Sequence, residues 1–147
     1  MKGSRKTIQF VLLTILVLAG IGATFYYLEW EKPAIVLDKP FDIVGKARDV
    51  TINLNDNRSG IRSYIVAITQ GGKRFVVAEE EVPVKGTHEK QVVVKIVPRD
   101  LRLKDGEAVF NITAVDFSPL KNTATYEAKI TIDSVPPRVA LLTSAHN

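Results

Sequence analysis

The runs "DNRSGI" (Asp56 to Ile61) and "AVDFSPLKN" (Ala114 to Asn122) hold the residues whose types and spacing bear most directly on chemistry. Both lie between stretches patterned as strands. If the two connections meet at one end of a sandwich, Asp56, Asp116 and Asn122 bring side-chain oxygens together, and oxygen ligands from loops are what calcium requires. Three candidates are few against the roughly six to eight oxygens that calcium takes. The competing chemistry is local, because Asp and Asn side chains bond nearby backbone amides and stabilise turns. That local reading is the stronger, so the sequence assigns no metal and leaves the three as calcium candidates. Arg58 and Lys121, in the same two connections, are candidate contacts for a partner.

Elsewhere the chain offers little for catalysis. His88 and His146 are far apart and have no neighbours at metal-ligand spacing, and cysteine is absent. No phosphate loop, zinc motif or nucleophile elbow appears. Ser63 and Ser118 lack a nearby base. The expectation is a non-catalytic chain with no cofactor of its own. "AEEEV", with Glu79 to Glu81, reads as a solvated connection.

These connections need a scaffold, and the scaffold begins with a membrane segment. Ile8 to Leu28 carries no charge and reaches about 31 Å as a helix, the thickness of a bilayer's hydrocarbon core. Lys2, Arg5 and Lys6 precede it, and Glu29 and Glu31 follow it. The positive-inside bias therefore keeps the N-terminus cytoplasmic and exports the remainder. Tyr26, Tyr27 and Trp30 sit where an interfacial aromatic belt is expected. A cleaved signal peptide ending at Ala23 is the rival, but the apolar run exceeds the usual h-region of about 7–15 residues. The net charge of +4 carries no nucleic-acid signal. Removing the three basic residues before the anchor leaves 17 basic against 16 acidic, a mixed surface with no basic patch.

The organisation expected is a cytoplasmic tip over 1–7, an anchor over 8–28, a stalk over 29–33 and an all-β domain over 34–133. Within that domain hydrophobicity alternates with period two. Strands are expected at 34–37, 49–54, 61–70, 74–78, 90–97, 107–116 and 123–133, with "QGGK" as a tight hairpin turn. Seven such strands separated by turns spell an antiparallel immunoglobulin-like sandwich without its disulfide. Ile52, Leu54, Val94, Ile96, Phe110, Ile112, Tyr126 and Ile130 are expected to face inward. Phe75 also falls on a core-facing position.

Taken together, "DNRSGI", "AVDFSPLKN" and the closing "IDSVPP" resemble bacterial immunoglobulin-like repeats of exported proteins. The order of basic tip, anchor, "EWEKP", "SGIRS", "TQGGK", "DG", "AVD" and "IDSVPPRVALL" is similar to the front half of delta-proteobacterial membrane-bound zinc endopeptidases of the lysostaphin/LytM type. That resemblance implies a spacer or docking module ahead of a peptidoglycan-cleaving domain, placed in the periplasm and held by the inner membrane. Cell-wall peptidoglycan or envelope proteins are the implied partners. The family's His-x-x-x-Asp and His-x-His zinc motifs are absent here, so no catalytic residue carries over. Residues 134–147, with the apolar run Val139 to Leu142, read as a linker and the first strand of a further domain. The alternative is a stand-alone cell-envelope binding or adhesion module.

Overall fold

The structure is a computed structural model describing residues 2–135. The linker and strand expected beyond Val135, and His146, lie outside these residues. A single α-helix, α1 (Lys2–Tyr27), comes first. Eight strands follow: β1 (Ala34–Leu37), β2 (Ile43–Val44), β3 (Arg48–Asn55), β4 (Ile61–Gln70), β5 (Lys73–Glu81), β6 (Glu89–Ile96), β7 (Gly106–Asp116) and β8 (Thr123–Ile132).

From Ile8 onward α1 is apolar on all sides. From Arg5 to Tyr27 it is long and apolar enough to cross a membrane, with none of that span buried against the protein. A core helix of a soluble domain would be covered, so that reading fails. Thr14 and Thr24 donate their hydroxyls to the carbonyls of Phe10 and Gly20, 2.9 and 2.8 Å away. Their polar groups are thereby satisfied within the helix, as an apolar surrounding demands.

The strands form two sheets, β1-β3-β6 and β2-β8-β7-β4-β5. All pairings are antiparallel except that of β2 with β8. This is an all-β, immunoglobulin-like sandwich in which β5 extends the larger sheet, as the extra strands of variable-type domains do. The period-two pattern explains the packing. Val50, Ile52 and Leu54 on β3 and Val92, Val94 and Ile96 on β6 face Val66, Ile68, Phe110 and Ile112 of the other sheet, and all are buried. Leu101 and Leu103 pack beneath them from the turn before β7. In the β4–β5 hairpin Gly71 and Gly72 have φ of 57° and 76°. Positive φ at both central residues is the mirror-image turn that matches strand twist.

Three expectations need correction. First, the sequence missed β2. After β1 the chain crosses to the other sheet, and Ile43–Val44 lies parallel to Thr131–Ile132. Phe41, at the crossing, meets Phe110 edge-on at 5.1 Å beneath the Arg48 guanidinium. Second, Tyr126 does face inward and packs against the core, but it is only half-buried, because β2 pairs with β8 only at its C-terminal end. Phe75 is likewise half-buried, near the end of the edge strand β5. Third, Glu79–Glu81 are not a connection. A bulge at Val77 shifts the register, and β5 continues to pair with Ser63, Tyr64 and Ile65.

The extended β5 closes one edge of the sandwich. Tyr64 donates to Glu80 Oε2 at 2.8 Å, and Lys90 of β6, in the opposite sheet, donates to Oε1 at 2.7 Å. Lys90, and then Tyr64, hold the Glu80 carboxyl below its usual range. Burial first, then the Glu80 hydrogen bond and charge, push the Tyr64 phenol up to about 12.

Two predictions follow from this packing. Phe110→Ala removes a fully buried ring and should cost about 3–5 kcal/mol in a denaturant melt; an unchanged midpoint would mean that the ring is not enclosed. Because folding raises the Tyr64 phenol, its contribution to stability is complete below pH 10 and is lost as pH rises toward 12. The ultraviolet titration difference between wild type and Tyr64→Phe should therefore show a phenolate emerging close to pH 12, and emergence at pH 10 would refute the clasp.

Candidate functional site

The two connections singled out by the sequence do meet. Asp116 ends β7, Asp56 follows β3, and the β4–β7 register brings Ile61 opposite Asp116. An irregularity at Arg62 bends β4 beside this end. Asp56 and Asp116 are 4% and 0% exposed.

Each aspartate organises its own loop. Asp56 Oδ1 accepts from the amides of Arg58 and Gly60 at 3.0 and 2.8 Å. Asp116 Oδ1 accepts from the amide and hydroxyl of Ser118 at 3.1 and 2.7 Å. These are the turn bonds expected of such residues. Gly60 makes the approach of the loops feasible. Its φ is +86°, and a Cβ there would lie 2.9 Å from the Thr87 backbone nitrogen and oxygen. The Gly60 carbonyl accepts from Phe117, stitching one loop to the other. His88 completes the frame, with its carbonyl accepting from the Asp56 amide and its Nδ1 donating to the Asp56 carbonyl.

The stalk docks on the same end. Asn122 Nδ2 lies 2.9 Å from the Glu29 carbonyl, 3.0 Å from that of Glu31 and 2.9 Å from Asp116 Oδ2. Arg58 donates to the Tyr26 carbonyl at 3.3 Å, placing a positive charge at the C-terminus of α1, where the helix dipole favours it. Asn122 and Arg58 thus both bind this chain's own stalk and helix. Lys121 is exposed, in a left-handed conformation with φ 51°.

Docking brings in a residue that the sequence reading missed. Glu29 is 5% exposed, and its Oε1 is buried with no hydrogen-bond partner. One carboxylate oxygen each from Glu29, Asp56 and Asp116 fall within 4.8 Å of one another. Among the described residues the ion pair within 4.0 Å is Lys90–Glu80, so no cationic side chain reaches the cluster. Two like charges about 5 Å apart repel by about 3 kcal/mol even at an effective dielectric constant of about 20. Glu29, Asp56 and Asp116 are therefore the residues able to hold a metal. The signal for Glu29 was thin: an acid beside Trp30 in "EWEKP" reads as solvated stalk.

The other candidates stay apart. Ser118 spends its hydroxyl on Asp116. A groove lined by Asp42, Thr69, Glu107 and Lys129 among others is remote from the cluster and holds neither histidine nor serine.

No family model matches the chain, and no curated protein matches it. Among solved structures it is similar to the endo-beta-1,4-mannanase from Thermotoga petrophila, with 12% identity and a TM-score of 0.48 over 73% of this chain and 21% of that one. It is also similar to an engineered protein (16% identity, TM-score 0.42, 69% of this chain and 20% of that one). A third is murine CRIg, at 10% identity and a TM-score of 0.41, covering 72% of this chain and 100% of that one. The matched region spans about a fifth of the mannanase and of the engineered protein.

Proposed function

We propose that the chain is a non-catalytic, single-pass membrane-anchored spacer and docking module of the cell envelope. In this reading α1 stays in the inner membrane and the sandwich stands in the periplasm as the front part of a peptidoglycan endopeptidase. The observation that carries the spacer role is where the chain enters and leaves the sandwich. It enters at Ala34, opposite Asn55, beside the docked stalk. It leaves after Ile132, which pairs with Gly106 at the far end of β7 from Asp116. The ten residues of β8 between these ends set a separation of about 30 Å. A module with entry and exit at opposite ends holds whatever follows at a defined height above the membrane.

Two further features support this reading. Asn122 and Arg58 bind the stalk and the helix end, so the sandwich is held at the membrane surface instead of swinging on a free tether. Among the described residues the exposed aromatics are Phe10, Phe25, Tyr26, Tyr27 and Trp30, all in helix or stalk. The sandwich thus presents no aromatic platform of the kind that favours sugar binding. The link to an endopeptidase rests on the resemblance of the sequence motifs alone.

Three measurements test the proposal. Intact mass of the cellular protein should retain the N-terminal helix, and a mature form beginning at Thr24 would replace the anchor with a secreted module. Alanine at Arg58 and Lys121 should leave any association with isolated cell wall unchanged; its loss in a folded variant would favour the binding module over the spacer. The genomic sequence after the Asn147 codon should encode His-x-x-x-Asp and His-x-His, and an immediate stop codon would remove the endopeptidase.

A further inference from the structure

We propose that Glu29, Asp56 and Asp116 form a calcium site that locks the membrane stalk to the sandwich. Three carboxylates converge within 4.8 Å from three separate segments: the stalk, the loop after β3 and the end of β7. An acidic cluster alone would prove nothing, since acidic residues gather on many surfaces. This one is enclosed, and it contains an atom that internal hydrogen bonding does not explain. Asp56 Oδ1 and Asp116 Oδ1 serve their own turns, and Asp116 Oδ2 accepts from Asn122. Glu29 Oε1 has no such use: it is buried without a donor, and the Glu29 carboxylate converges with the other two. A buried, unpaired carboxylate is costly, and such groups normally pair or coordinate a metal.

The ligand chemistry selects the ion. The three groups offer hard oxygen and neither nitrogen nor sulfur, which disfavours zinc and copper and suits calcium or magnesium. The carbonyls of Glu29 and Glu31 accept from Asn122 Nδ2 and tie the stalk backbone to the same junction. Magnesium demands near-ideal octahedral geometry and retains its water, whereas calcium accepts many oxygens in irregular arrangements. Ligands drawn from a stalk and two loops suit the more tolerant ion. Its effect would be mechanical. Glu29 immediately follows the membrane segment, so an ion shared with Asp56 and Asp116 fixes the angle between anchor and sandwich. Ion binding does not depend on the spacer role, and it can fail or succeed independently of it.

The test uses the full chain in detergent micelles, stripped with a chelator and titrated with calcium or magnesium. Calcium between about 0.1 and 1 mM, the range of extracellular modules, should raise the melting temperature, with magnesium much less effective. Terbium should bind at the same place and show emission sensitised by Trp30, the single tryptophan, beside Glu29; calcium should reverse it. Glu29→Gln removes a ligand charge outside the strands and should weaken calcium binding by about tenfold or more while leaving the sandwich folded. Asp116→Asn should do the same, with greater risk to the fold. A wild-type melt indifferent to calcium, or a calcium response that survives Glu29→Gln unchanged, overturns the proposal. If Glu29→Gln raises stability in a chain that ignores calcium, the carboxyls only repel one another and the site is not a metal site.

Discussion

The sandwich depends on the apolar layer between its two sheets, because no cysteine is available to cross-link them. Ile52 and Ile96 on one side and Val66, Ile68, Phe110 and Ile112 on the other are fully enclosed. That layer can exclude water only if the open edges are shut. On one side Lys90 and Tyr64 converge on Glu80 and tie β6 to β5. On the other the chain divides its first strand, with β1 in the smaller sheet and β2 in the larger. Exposed edges are also where unwanted strand pairing begins, so both devices protect the fold as well as its core.

The stalk end follows a different physics. Its loops are held by hydrogen bonds to Asp56 and Asp116 and by the close backbone approach that Gly60 permits. Polar groups buried in this way fix geometry more sharply than apolar packing, since each donor must meet its acceptor. The same enclosure concentrates negative charge once Glu29 docks against it. A structural turn and an ion site are therefore not rival accounts of Asp56 and Asp116. One oxygen of each carboxylate organises its loop, and the arrangement places both groups beside Glu29.

The helix and the sandwich are built for different solvents. Apolar side chains of α1 point outward from Ile8 to Tyr27, whereas those of the strands turn predominantly inward. Between them lies a short segment whose carbonyls are claimed by Asn122 and whose helix end is capped by Arg58. The junction couples the two parts through hydrogen bonds rather than a hydrophobic interface.

Much of this was legible in the sequence because the signals are local. An uncharged run from Ile8 to Leu28 states its preference for an apolar medium, and the alternation in "DVTINL" or "KQVVVKIV" states which faces a strand buries. The glycines of "QGGK" state the turn, and the positions of Asp56 and Asp116 beside strand ends suggested that their loops meet. Other features follow from which strand lies next to which, and no local pattern carries that information. β2 exists because β8 offers it a ladder, and Glu79–Glu81 are strand because a bulge at Val77 keeps them in register with β4. Tyr126 alternates as faithfully as Phe110, yet it is half-buried because its part of β8 lacks a covering neighbour. Glu29 looked like solvated stalk. Its burial was decided by Asn122, ninety-three residues away, whose amide draws the stalk backbone onto the sandwich. Sequence fixes a residue's local preference, but burial and charge pairing depend on partners that only folding brings into reach.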